Sequence, residues 1–290
     1  MVRASERALA NGALHSIPTE YEFVEDGGMR FFVRILTNLA LKDEERKKQK
    51  EQGKSAVRPD PFLPYEQDLF VAHVSETHVA ILNKYNVVEH HLLIVTREFE
   101  SQEMLLTLRD FEALWLCLWE YNGLCFYNGG EAAGASQAHK HLQMVPLPLA
   151  PEGPPVPIEP LLGAAESVAG LGTVPGFHFL HVFVRLDSDI LSSPQHTPQR
   201  TFAIYRQMLR EAGMLTSADA VIQTGPYCLL VTREWMLLVP RSREFFEGIS
   251  LNSLAFAGAL LVRREEQLEI LRRRGPMAAL RSVAFPSIPA

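Results

Sequence analysis

Cysteine is scarce in this sequence. The three present, Cys117, Cys125 and Cys228, form neither a CxxC pair nor an even set, which excludes a cysteine-built zinc site and a disulfide framework and fits a reducing cytoplasm. Excess positive charge is also lacking. With a net charge of −6, a nucleic-acid surface is not its main business, because phosphate backbones select for basic faces. An anionic ligand therefore needs a local cationic pocket. No apolar run reaches the roughly 18 residues of a membrane span, and no basic start followed by an apolar stretch opens the chain. The expected setting is cytoplasmic, with neither nucleic acid nor membrane as partner. What 290 residues at 47% hydrophobic content do provide is a sizeable core, for one large domain or two small ones.

Several elements are legible from their spacing. Met29 to Leu36 reads as a strand behind the turn signal Glu25 to Gly28. Leu69 to Val74, His78 to Leu82 and His91 to Thr96 are short apolar runs with turn-like breaks, as expected of neighbouring antiparallel strands. Thr107 and Asp110 fit a capping box, after which Phe111, Leu114, Trp115, Leu118 and Trp119 recur at helical spacing. Those aromatics pack the helix on the sheet. Lys42 to Glu51 is almost fully charged and reads as a solvated helix, running into a proline-broken loop that carries Lys54 and Arg58.

Val145 to Pro160 is so rich in proline that it predicts an extended connector or flap. The organisation expected is a half over residues 1–150, a connector over 151–175 and a half over 176–290 packed on the same core. In the second half, Phe177 to Leu186 reads as a strand. Thr197, as N-cap, and Pro198 open a helix to about Ala212, closed by Gly213. Tyr227 to Val231 and Trp235 to Pro240 predict a hairpin, and Asn252 to Arg273 a long helix with cations at its C-terminal end. The segments starting at His91 and Trp235 each give an apolar strand, an arginine-bearing stop and a helix, which suggests duplication of one strand-to-helix unit. The fold class expected is α+β, a mostly antiparallel sheet with packed helices.

The segment Gly129 to Pro148 carries the chemistry. Alternate side chains of a strand share a face, so His139, His141, Gln143 and Val145 point one way and Lys140, Leu142 and Met144 the other. The small residues before them let backbone N–H groups approach an anion, and Ser136 and Gln137 add neutral donors, which suits phosphoryl oxygens. A neutral imidazole is a competent nucleophile at phosphorus, provided a second group on its far nitrogen fixes the tautomer. A metal site is the rival reading. Zinc wants a third histidine, cysteine or carboxylate, and glutamine is a poor substitute.

The run Asn128-x5-Gly134-x-Ser136-Gln137-x-His139-x-His141-x-Gln143 resembles the signature of the transferase branch of the histidine-triad superfamily. Galactose-1-phosphate uridylyltransferases and diadenosine tetraphosphate phosphorylases, also called ATP adenylyltransferases, share it. Residues 25–34, 82–102, 126–148 and 227–241 resemble the phosphorylases over most of the chain. The resemblance implies that His141 takes AMP as a covalent adenylyl-histidine, that His139 sits behind it, and that Gln143 bonds a non-bridging oxygen of the transferred phosphate. It further implies that Asn128, Gly134, Ala135, Ser136 and Gln137 hold the α-phosphate region, that Lys54, Asn83 and Lys84 lie around nucleotide and polyphosphate, and that Asn252 and Arg263 reach the distal nucleotide. The family usually has proline where this chain has Ala138, which removes a fixed φ but no reacting group.

Glutamine cannot exchange a proton, so Gln143 stabilises charge without activating water, and the intermediate waits for an anionic acceptor. With phosphate as acceptor the expected outcome is phosphorolysis of diadenosine tetraphosphate to ADP and ATP. The expected partners are thus diadenosine tetraphosphate, ATP, ADP and phosphate, with the chain a monomer or homodimer. No covalent cofactor is expected. Clustered polyphosphate charge on an acidic protein calls for a neutralising divalent ion such as Mg2+, though no carboxylate ligand set can be named. The alternatives are a hexose-1-phosphate uridylyltransferase, a histidine-triad hydrolase, against which Gln143 speaks, and a nucleotide-binding module without catalysis.

Overall fold

A computed structural model describes residues 1–37, 60–168 and 170–287. The charged segment Lys42 to Glu51, together with Lys54 and Arg58, lies outside the described residues. The strands are β1 Thr19–Asp26, β2 Met29–Leu36, β3 Phe70–His73, β4 His78–Leu82, β5 Leu92–Thr96, β6 Gly123–Gly129, β7 His141–Pro146, β8 Glu166–Val168, β9 Leu171–Thr173, β10 Val182–Arg185, β11 Tyr227–Val231, β12 Trp235–Pro240, β13 Phe245–Phe246, β14 Ile249–Ser250 and β15 Ala259–Val262. Among the described residues, ten strands form one antiparallel sheet in the order β3-β4-β5-β7-β6-β11-β12-β10-β9-β8. β1, β2 and β15 form a second sheet, in which β15 runs parallel to β2.

The helix Leu108–Glu120 starts at the capping box: Thr107 accepts from the Asp110 N–H, and Asp110 accepts from the Thr107 N–H at 2.6 Å. It packs on the helix Thr197–Glu211, where the Trp115 indole N–H donates to Thr201 Oγ1 at 2.7 Å. Trp115 is fully buried, and side chains of this size contribute about 3 kcal/mol each when removed from water. Both helices cover the face of the large sheet that carries Leu142, Met144, Met236 and Leu238. The other face carries Val145, Phe126, Leu237 and Val239 and packs on residues of the small sheet and the C-terminal helices.

The two halves repeat each other through topology. β4-β5-helix-β6-β7 and β9-β10-helix-β11-β12 have the same strand order, and they meet at the β6–β11 pair. The expected copies are corrected: the unit from His91 matches β10 and the helix after it, whereas β12 is the counterpart of β7. In this register Pro240 answers Pro146, so Trp235 stands where the first half has His141, and Leu237 where it has Gln143.

The helix expected from Asn252 to Arg273 is also corrected. It is a four-residue helix Ser253–Phe256, then β15, then a helix Glu265–Arg274. Gly258 ends the first piece at φ +88, where a Cβ would lie 2.6 Å from Met29 Cε, and the apolar residues after it pair with β2 instead of continuing the helix. Asn252 is therefore an N-cap, and Arg263 follows a strand rather than sitting on a helix. At the other helix start the N-cap is His196, not Thr197, whose hydroxyl meets the Ile190 and Ser193 carbonyls. Of Phe177 to Leu186 only Val182–Arg185 is strand, because the His181 ring takes the Val174 N–H and the Phe179 carbonyl in place of a ladder. The expected connector contains a short helix, Glu159–Leu162, and the β8–β9 hairpin that forms a sheet edge.

Candidate active site

β7 carries His141 and Gln143 on one face, Gln143 lining a cleft, and it follows the turn Glu131–Ala133, which ends at Gly134 with φ +95. A Cβ on Gly134 would lie 2.7 Å from Asn252 Cβ. Glycine is required there twice over, for its backbone conformation and for the close approach of the two segments. The cleft has a volume of about 620 Å3 and is lined by Asn128 and Gly134 from this side, by Asn83 and His91, and by Asn252 and Arg263 from the C-terminal half.

His141 is 3% exposed. Its Nδ1 lies 2.8 Å from the His139 carbonyl oxygen. An oxygen there can only accept, so Nδ1 carries the proton and Nε2 keeps its lone pair. Burial lowers the His141 pKa to about 4, against the opposing bond to the His139 carbonyl, with the neighbouring His139 lowering it further. The ring is thus neutral at ordinary pH. The backbone N–H of His141 donates to Gln102 Oε1 at 2.8 Å, and Gln102 Nε2 donates to the Asn128 carbonyl at 2.9 Å, which ties β7 to β6 beside the loop. His139 is held by Asp60 Oδ2 at 2.7 Å from Nδ1 and by the Thr96 carbonyl at 2.9 Å from Nε2. The ring of Phe62 stands against both histidines, with centroids 5.6 and 5.3 Å away.

Gln143 is oriented by a relay. Asn83 Nδ2 donates to His91 Nδ1 at 3.2 Å, and His91 Nε2 donates to Gln143 Oε1 at 3.0 Å. Burial lowers the His91 pKa to about 4, the bond to Gln143 opposing and nearby His141 assisting, so His91 stays a neutral donor at Nε2. The carbonyl of Gln143 is thereby engaged, and its NH2 group is left as the donor for the cleft.

On the opposite face of β7, Lys140 is fully buried and ion-paired with Glu100 at 2.6 Å and Asp110 at 3.3 Å. Asp110 also receives His78 Nε2 at 3.1 Å. Burial opposes ionisation of Asp110, but the His78 bond and the Lys140 charge outweigh it and hold its carboxyl below the usual value.

Of the residues singled out in the sequence, Asn83, Asn128, Gly134, Ser136, Gln143, Asn252 and Arg263 line the cleft. His139 and His141 are buried and are not part of its lining. Ala135 and Gln137 belong to the loop but not to the lining, and Lys84 is paired with Glu66 outside it. Asn128 Oδ1 accepts from the N–H and hydroxyl of Ser253 at 3.0 and 2.6 Å, joining the two halves at the site. Sequence reasoning did not single out His91, Gln102 or Asp60 as site residues, nor Arg34, which lines the cleft. Two signals were present: the His90-His91 pair heading a strand, and an aspartate set between Pro59 and Pro61.

Residues 1–164, more than half of the chain, match the Ap4A phosphorylase N-terminal domain. The chain belongs to the Ap4A phosphorylase family. Residues 175–286 of this Ap4A phosphorylase family member match the ATP adenylyltransferase C-terminal domain. It is similar to the Saccharomyces cerevisiae protein diadenosine 5',5'''-P1,P4-tetraphosphate phosphorylase 2, 27% identical over 273 residues, 83% of this chain and 79% of that protein. It is likewise similar to Protein APA1 of the same yeast, 27% identical over 293 residues, 89% of this chain and 84% of that protein. The crystal structure of yeast Ap4A phosphorylase Apa2 in complex with Ap4A shares the fold, with a TM-score of 0.79 at 24% identity over 99% of this chain and 97% of that one. Among the described residues no helix is long and apolar enough to cross a membrane.

Proposed function

We propose that this chain catalyses phosphorolysis of Ap4A by inorganic phosphate, giving ADP and ATP, with His141 as nucleophile. The observation that carries the reading is the buried, neutral His141 whose Nδ1–H is bonded to the His139 carbonyl, two residues before an oriented Gln143 on one strand face. In the first displacement the Nε2 lone pair forms a bond to the α-phosphorus and the bridging oxygen leaves with ATP. The imidazole gains positive charge, which the His139 carbonyl stabilises through Nδ1–H, while the Gln143 NH2 donates to a non-bridging oxygen. In the second, a phosphate oxygen bonds to the same phosphorus, the P–N bond breaks and ADP leaves. Two in-line displacements predict retention at phosphorus and ping-pong kinetics.

Asn128, Gly134 and Ser136 would frame the α-phosphate, and Asn252 and Arg263 would face it from the other half; all five line the cleft. Among the described residues the cleft's lining includes a single carboxylate, Glu244, already bonded by Ser250. These residues do not make a magnesium site, so a divalent ion would arrive on the phosphates of the ligand. A cytoplasmic setting is in keeping with three buried, unpaired cysteines. The test is to incubate the protein with Ap4A, with and without phosphate, and resolve the products. Equal ADP and ATP only in the presence of phosphate is the expected result. AMP as product, or intact Ap4A in both, overturns it.

A further inference from the structure

The residue closing β12, Arg241, is not needed by the chemistry above, yet it is the most completely enclosed cation in the second half. Its side chain is fully buried. A guanidinium has five N–H donors, and all are engaged: Nε with the Val283 carbonyl at 3.1 Å, Nη1 with the Ala133 carbonyl at 3.3 Å and Cys228 Sγ at 3.1 Å, and Nη2 with the Arg243 and Leu251 carbonyls, both at 2.8 Å. The face of the Phe256 ring lies 5.0 Å from its carbon. Among the described residues no carboxylate pairs with it.

A buried cation without a counter-charge is costly, and carbonyl dipoles offset only part of that cost. Two of its acceptors explain what the charge accompanies. Ala133 immediately precedes Gly134, and Leu251 immediately precedes Asn252, the two cleft residues that approach so closely that a Cβ on Gly134 would clash. One guanidinium therefore fastens both segments together from beneath. Water is excluded around it, so its field reaches the cleft with little screening. On a chain of net charge −6, with Glu244 in the lining, that field favours the occupant with the most negative charge.

We propose that Arg241 is a positioning residue for polyphosphate: it joins the Gly134 loop to the Asn252 segment and supplies the positive potential under the cleft, with the ligand itself as the missing counter-charge. This rests on the nucleotide reading of the site. The experiment is calorimetric titration of the full chain with AMP, ADP and ATP, for wild type, Arg241→Met and Arg241→Lys. Arg241→Met should weaken ATP by about tenfold, ADP by less, and AMP by under about twofold, since the lost energy scales with ligand charge. Arg241→Lys keeps the charge but not the fork, and should preserve the ATP-to-AMP affinity ratio while lowering the melting temperature. Equal losses for all three nucleotides in Arg241→Met, or none, overturn the proposal. If the methionine variant does not fold, the lysine variant decides, because a collapse of its ATP-to-AMP ratio is equally fatal. Failure of the wild type to bind ATP would overturn the nucleotide reading instead.

Discussion

Replacing His91 with leucine tests whether Gln143 works only when oriented. The change deletes the 3.0 Å bond to Gln143 Oε1 and the 3.2 Å acceptor for Asn83, while leucine fills much of the buried volume. Two neutral hydrogen bonds at roughly 1 kcal/mol each give about 2 kcal/mol. If that energy serves to hold the amide in its donating orientation, kcat falls by about thirtyfold. The ceiling is the loss from Gln143→Ala, about a hundred- to a thousandfold for a donor to developing negative charge. A double-mutant cycle on initial rates of ADP formation separates the possibilities. In the Gln143→Ala background there is nothing left to orient, so adding His91→Leu should cost under about twofold. The same thirtyfold loss in both backgrounds would show that His91 acts by another route and refute the relay.

Gly134→Ala combines a φ of +95 with a contact 2.7 Å from Asn252 Cβ. It should cost about 1–3 kcal/mol in chemical denaturation and at least about tenfold in kcat/KM; unchanged values in both would contradict the close approach. Lys140→Met removes the cation between Glu100 and Asp110, leaving buried Asp110 with only His78 and Thr107 and Glu100 without its ion pair. Stability should drop by about 3 kcal/mol at neutral pH and recover partly in acid, where the carboxylates protonate. His91 and His141 have folded-state pKa values of about 4, below the unfolded value, so the folded protein binds fewer protons between the two. Their contribution is complete above about pH 6.5 and declines toward pH 4, by at most about 1.4 kcal/mol per pH unit each. Urea melts across that range check it, and a flat profile would mean that the two rings are not held neutral.

Local signals carried much of the fold. β4, β11 and β12 are short apolar runs with clear stops, and the Thr107–Asp110 box marks its helix without help from the rest of the chain. The failures arise where a distant partner overrides local preference. Residues 259–262 have helical spacing to either side, but β2 offers them a ladder and Gly258 turns them into it. Likewise the duplication leaves a local strand-to-helix trace, while its true register appears only in the pairing order.

The site divides in the same way. His141 and Gln143 are legible because their motif is contiguous. His91 is 52 residues from Gln143, Asp60 is 79 from His139, and Arg241 is 108 from Ala133. No spacing rule reaches across such separations.

Trp235 and Leu237, standing where the first half has His141 and Gln143, make the duplication unequal in kind. In one copy the inner face carries His141 and Gln143 beside the core residues Phe126 and Val145. The other gave that face over to the apolar core, where it seats residues of the small sheet and the C-terminal helices, the same region whose Asn252 and Arg263 close the first copy's cleft. Each half thus supplies residues to the cleft that the other lacks, so neither alone would present the full lining to a ligand.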